Sequence, residues 1–392
     1  MIPLLRRIAE ATGEPQALGR LASTLGLVDP GEAETLLRSI YHQASTSSDH
    51  SLASAAAGAL VTLLQDQGRL RDALALADQQ IEHTCQAGLG AWTQLGDYIR
   101  RLQILGQLGY HDKVLTDLSA LRARMAQISH QPASNDFVEP WSVRETILGT
   151  GRSSALALRR WQQALDLTTE IITSERKRGA TPHDTARTRF TCYGPLLNLG
   201  RLTEAEQLLC DCQNVFETAS DIPMLGMVYG ARADLEGKRG HVQDAVELQR
   251  SALRLSYIHP NPRDIAVSHH NLASCLSRVL MGNSADQHAH RLAAALLYHF
   301  TGDTHHFTVT LRVLATELRG NSPGPDAPPL PTTLSEVIGL VETGEGVRFS
   351  TLLTDLCPDP DAAERALADL LATAATLPDQ PPEDTPDPGQ DS

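Results

Sequence analysis

A chain of 392 residues exceeds one simple core and holds either two or three ordinary domains or one long repeat array. Hydrophobic residues make up 41% but aromatics only 4%, so Ala and Leu do most of the apolar work, which favours close-packed helices over a sheet. The formal charge of -14 argues against a broad non-specific grip on nucleic acid or an anionic membrane, and no apolar run approaches the roughly 18 to 20 residues of a spanning helix.

Residues 1–46 read as short amphipathic helices separated by the turn signals "TGEP" and "VDPGE", an N-terminal helical cap. The opening "MIPLLRRIAEATGEP" lacks the apolar core and cleavage site of a signal peptide, so the expectation is a soluble cytoplasmic protein.

From 47 to 319 one motif recurs. "GRLRDALALA" begins at Gly68, and "GRLTEAEQLL" at Gly200 carries Gly, Arg, Leu, an acid and Ala at the same offsets. The residue five after each junction forms the series Ala73, Val114, Ala164, Ala205, Ala245 and Ala289, with spacings of 41, 50, 41, 40 and 44. A period near forty predicts helix hairpins that cannot bury their apolar faces alone and therefore stack. The junction Gly suits the left-handed backbone that ends the first helix. The acid four residues on (Asp72, Glu204, Asp244) then lies in the first turn of the second, where it favours the macrodipole. The spacing of 50 coincides with "ISHQPASNDFVEPW" (128–141), a predicted loop insertion.

Beyond the repeats, "RGNSPGPDAPPLP" breaks the helical pattern through its prolines, predicting a linker over 320–331. Residues 332–377 read as a small C-terminal helical module, and 378–392, with five acids, no base and five prolines, as an acidic disordered tail.

"GRLTEAEQLL" and "GHVQDAVELQRSAL" resemble the second half of a tetratricopeptide repeat, with Ala245 and Ala252 at the family's two small positions. The match weakens at 109, where Val114 replaces Ala, and at 160, where the Gly is missing. The period also exceeds the family's 34, nearer that of HEAT or armadillo repeats. "NPRDIAVSHHNLASCLSRVLMGNSADQHAHRLAAALLYHFTGD" resembles repeats of bacterial, particularly actinobacterial, tetratricopeptide proteins. The resemblance implies an all-α fold, an α-solenoid winding as a right-handed superhelix, with a concave groove that holds a partner protein or peptide.

Candidate groove residues come from the first helix of each hairpin. Counting back eleven and eight from the junction selects Tyr98 and Arg101, Arg189 and Cys192, Tyr229 and Arg232, and Asn271 and Ser274, each pair on one helical face. Tyr, Arg and Asn supply contact area and charge-assisted hydrogen bonds to a peptide. The resemblance implies a different register, thirteen and six back, which selects Arg187, Met227 and His269 with Gln103 and Asp234. Both registers stay open, beside ordinary inter-repeat packing.

Seven histidines fall between 269 and 306 (His269, His270, His288, His290, His299, His305, His306), but no HExxH or Cys/His spacing accompanies them, and packing or surface roles are expected. "TGEGVRF" (343–349) lacks the strand, third glycine and Lys of a phosphate loop and reads as a turn between helices. Cys85, Cys192, Cys210, Cys212, Cys275 and Cys357 form no CxxC pair, and reduced, mostly buried thiols are expected. No nucleophile motif appears. The expectation is a non-catalytic scaffold or adaptor without cofactor or metal, with a ligand-gated sensor for a peptide or small molecule as the alternative. The sequence leaves the oligomeric state open.

Overall fold

The structure is a computed structural model that describes residues 28–279, 285–320 and 330–377, with residues 3, 4, 6, 7, 20, 21 and 24–26. The chain is all-α, an array of helix hairpins of the solenoid class, and among the described residues no strand is present and no helix is long and apolar enough to cross a membrane. It divides at Thr181/Pro182 into two compact units.

The first unit contains α1 (Pro30–Thr46), α2 (His50–Asp66), α3 (Leu70–Gln86), α4 (Ala91–Gln107), α5 (His111–Ala126), α6 (Pro140–Ala157) and α7 (Trp161–Lys177). Each packs on the next, and α4 also reaches α6. The segment read as a cap thus contributes α1, hairpin partner of α2, with an N-terminus capped by the Asp29 carboxylate on the Glu32 N–H.

The second unit contains α8 (Pro182–Phe190), α9 (Tyr193–Asn198), α10 (Leu202–Ala219), α11 (Ile222–Arg239), α12 (Val242–Ser256), α13 (Pro262–Val279), α14 (Ala285–Phe300), α15 (Thr304–Gly320), α16 (Leu334–Glu345), α17 (Phe349–Leu356) and α18 (Pro360–Thr376). The stretch "RFTCYGPLLNLG" before the Gly200 junction is split between α8 and α9. Pro195 cannot donate to the carbonyl four residues back and its ring crowds that turn. The helices predicted as a C-terminal module pack on α14 and α15, and Val337, Phe349 and Leu367 share one buried core with Ala293, Leu296 and Leu314. Most of the predicted linker and all of the acidic tail lie outside the described residues.

The turns explain the motif. Gly68, Gly109, Gly200 and Gly240 have φ of 72°, 87°, 72° and 86°, and the next residue's N–H reaches back to the last turn, as from Arg69 to the Leu64 carbonyl at 2.9 Å and from Arg201 to Leu196 at 2.9 Å. At the hairpin that lacks a Gly, Arg159 takes φ 57° and Arg160 N–H makes the same bond to Ala155 at 2.8 Å. Left-handed residues also occur midway, at Ser48, Gly88, Gly179 and Ser220, so they recur every 20 or 21 residues from Ser48 to Gly109 and again from Arg159 to Gly240, and there the forty-residue period is two matched halves. The Arg of "GRL" pairs with the acid of the next turn, Arg69 with Asp72 at 2.9 Å and Arg201 with Glu204 at 2.6 Å. Ala73, Val114, Ala164, Ala205, Ala245 and Ala289 are all buried, where a small side chain lets helix backbones close on each other.

The 128–141 insertion is anchored, not loose. Asp136 accepts from the Thr93 N–H at 2.9 Å, capping α4 from another part of the chain, while Gly90 N–H donates to the Asn135 carbonyl at 3.0 Å and Trp92 Nε1 to the Ser129 carbonyl at 2.9 Å. A Cβ on Gly90 would lie 2.1 Å from the Asp136 carboxylate, so this approach requires glycine.

Candidate functional site

Three consecutive helices of the first unit enclose a cleft of about 480 Å³. Each supplies residues at i, i+3 and i+4, the spacing that aligns side chains on one helical face: Asp78, Ile81 and Glu82 from α3, Tyr98, Arg101 and Leu102 from α4, and Asp117, Ala120 and Leu121 from α5. Ile81, Leu102 and Leu121 are buried and form an apolar floor. Asp78 and Glu82 are exposed at the rim and Asp117 is half-buried.

Arg101 Nε donates to Asp78 Oδ1 at 2.6 Å across the mouth. This half-exposed pair contributes about 0–1 kcal/mol and acts chiefly to hold the two side chains. The Arg124 guanidinium lies 5.0 Å from the Tyr98 ring centroid and donates to Gln94 Oε1 at 2.8 Å, so Tyr98 forms a wall braced by a cation–π contact. Lys113 approaches Asp117 at 3.6 Å from the next turn of α5. The lining carries three acids against one base.

Of the sequence-predicted residues, Tyr98 and Arg101 meet in this cleft, and Gln103 is exposed outside its lining. In the second unit Arg189 Nη2 reaches Asp211 at 2.9 Å and Arg232 Nη1 reaches Gln213 at 2.7 Å, so both arginines bind side chains of α10. Arg101 binds Asp78 of α3 in the same manner, so the two eight-back arginines, Arg101 and Arg232, each tie a first helix to the helix before it, whereas Arg189 stands at the eleven-back position. Arg187 is exposed, 3.9 Å from Asp221, Asp234 is exposed, and Tyr229 and Asn271 are half-buried.

His269 is fully buried and so belongs to the core of its unit, not to a groove wall. Its Nδ1 faces His290 Nδ1 at 2.8 Å, the rings stack at 5.1 Å, and Tyr257 Oη meets its Nε2 at 2.9 Å. Burial holds both imidazoles neutral, with His290 lowered to about 3 and His269 well below its ordinary range. Nearby, Glu345 is buried against Arg250 at 3.0 Å and Arg254 at 3.5 Å, with His290 at 4.0 Å, and burial raises its carboxyl against the pull of those arginines. The first unit repeats this trio at lower burial: His83 Nδ1 faces His50 Nδ1 at 3.1 Å and Tyr41 Oη meets His83 Nε2 at 3.3 Å.

The remaining histidines of the 269–306 stretch take separate roles. His270 meets Thr310 at 3.1 Å, His299 contacts Phe300 and Phe307, and His306 pairs with Asp303 at 3.0 Å. Among the described residues, ligand atoms sufficiently close for a metal ion occur at Glu236, His241 and Asp244, where Glu236 already holds Arg239 at 2.9 Å and His241 at 2.7 Å. The cysteines are free thiols, but Cys212 and Cys275 alone are buried among the six, fewer than expected, because Cys85 sits on the exposed side of α3, Cys210 is half-buried in the middle of α10, and Cys192 and Cys357 lie at helix ends. "TGEGVRF" spans the end of α16, the turn at 346–348 and the first residue of α17, with Gly346 at φ 66°.

Sequence reasoning missed Asp78, Ile81, Glu82, Asp117 and Leu121 because it searched the first helix of each hairpin only. The signal was the repeated acid–apolar spacing on the second helices, "DQQIE" and "DLSAL".

No protein-family model and no curated protein matches the sequence. Among solved structures, the fold is similar to BtubC (BKLC) from P. vanneervenii, with a TM-score of 0.32, 12% identity, and 84% of this chain and 92% of that chain covered. It is also similar to PH0952 from Pyrococcus horikoshii, a signal transduction ATPase with numerous domains and a tetratricopeptide repeat sensor, with a TM-score of 0.45, 11% identity, and coverage of 93% of this chain but 53% of that one. A Rap protein complexed with competence and sporulation factor gives a TM-score of 0.45 at 10% identity, covering 91% of this chain and 99% of that chain.

Proposed function

We propose that the protein is a non-catalytic cytoplasmic adaptor that holds a segment of a partner protein in the α3–α4–α5 cleft. The observation that carries this reading is the cleft itself: an apolar floor of Ile81, Leu102 and Leu121 under a rim of Tyr, Arg and three carboxylates. An apolar anchor ringed by directional polar groups is the composition that recognises a side chain together with its flanking backbone. No nucleophile–base pair or cofactor-binding motif accompanies it in the sequence.

The test is affinity capture from the native host with the full-length chain and with a Tyr98→Ala/Arg101→Ala variant whose melting curve matches the parent. A partner retained by the parent and depleted by the variant supports the reading; equal retention by both overturns this cleft as the site. The cleft volume also falls in the range of small-ligand pockets, about 300–1,000 Å³, which favours a ligand-gated sensor as a second reading. A thermal shift produced by the small-molecule fraction of host extract, and none by its protein fraction, would select that alternative.

A further inference from the structure

We infer that the occupant of the cleft is a peptide segment that presents a basic side chain, Lys or Arg, with the cation between the carboxylates of Glu82 and Asp117 and the aliphatic stem on Leu102 and Leu121. The inference rests on the peptide-binding reading and specifies its chemistry.

Charge complementarity carries it. The one base in the lining, Arg101, already spends its Nε donor on Asp78 at 2.6 Å, and the nearby Arg124 is committed to the Tyr98 ring and Gln94. An anionic group entering the cleft would therefore meet three carboxylates and would find only the Nη donors of a guanidinium already paired with Asp78. A cationic group meets the opposite field. Glu82 stands exposed at one rim, and Asp117 at the other has only Lys113 at 3.6 Å on a neighbouring turn, a contact that an incoming guanidinium or ammonium can replace or share.

The floor selects among cations. Ile81, Leu102 and Leu121 offer buried apolar surface below the carboxylate level, which suits a side chain with a methylene stem and a charged tip and leaves a bare metal ion without oxygen ligands at depth. The whole chain's net charge of -14 draws basic segments toward it from a distance.

The experiment is a display selection of random short peptides on the full-length protein, followed by affinity measurement on two variants. Ala120→Trp fills the cleft from an exposed position, and Glu82→Gln/Asp117→Asn removes the two charges while keeping shape. The inference expects enriched peptides to contain Lys or Arg, to lose binding on Ala120→Trp, and to weaken roughly tenfold on Glu82→Gln/Asp117→Asn, with weaker dependence on salt than the parent. Peptides that depend on Ala120 but carry no basic residue, or that ignore the charge removal, overturn the inference and leave the peptide-binding reading standing. Peptides that bind Ala120→Trp as well as the parent, or a selection that enriches none, overturn both.

Discussion

Arg159 occupies a conformation that costs a residue with a Cβ about 1 kcal/mol or more, at a turn where sister hairpins use glycine. Its side chain is exposed, so Arg159→Gly removes strain without emptying a core site. Chemical denaturation of that variant is expected to show a gain of about 0.5–1 kcal/mol, while Gly200→Ala, at φ 72°, loses about 1 kcal/mol or more. Equal stabilities for the pair and the parent would refute the left-handed account of the motif. The small residues five positions on obey packing logic of the same kind. Ala205 is fully buried, and Ala205→Leu is expected to cost about 1–3 kcal/mol through overpacking, read as a lower denaturation midpoint with an unchanged slope.

At the scale of elements, two devices hold helices that propensity alone would leave loose. Asp136 caps α4 from across the insertion, so Asp136→Ala is expected to lose about 1 kcal/mol and to raise amide exchange in the first turn of α4 and in residues 128–136, leaving α7 untouched. The buried His269–His290 pair links α13 to α14 beneath Phe349 of α17. Both imidazoles have folded pKa values below the unfolded value of about 6.5, so the unfolded state binds more protons as pH falls. Their contribution to stability is full above about pH 6.5 and is lost progressively as pH falls, for His290 on the order of 2 kcal/mol by pH 5. Glu345 beside them, with its carboxyl raised by burial, opposes this trend above its unfolded value of about 4.5. Denaturation at pH 7 and pH 5 is expected to show a smaller loss for His290→Gln than for the parent, and an identical loss would remove the pair from the pH response.

Across the whole molecule, net charge governs which partners approach. At -14 the chain is expected to leave duplex DNA unshifted in electrophoresis at physiological salt, and retention there would contradict the charge argument. The fold was legible because its determinants are local and repeated. A turn residue with positive φ, an acid in the next first turn and a buried small residue recur at fixed offsets, and each acts through its own hairpin. Legibility failed where one residue departed from the repeated pattern: Pro195 splits the helix before the Gly200 junction, and Arg159 stands in for glycine.

The candidate site was half legible. Tyr98 and Arg101 could be counted back from a junction, yet the same count in the second unit led to Arg189 and Arg232, which bind α10, and the other register led to a fully buried histidine. The sequence by itself determined the helices, their turns, the period and the small residues at their contacts, because backbone geometry and first-turn electrostatics act within a few residues. Only tertiary structure decided which faces three neighbouring helices turn toward one another. A cleft exists where Asp78, Tyr98 and Asp117, some twenty residues apart in sequence, meet side by side, and their convergence depends on how whole helices pack.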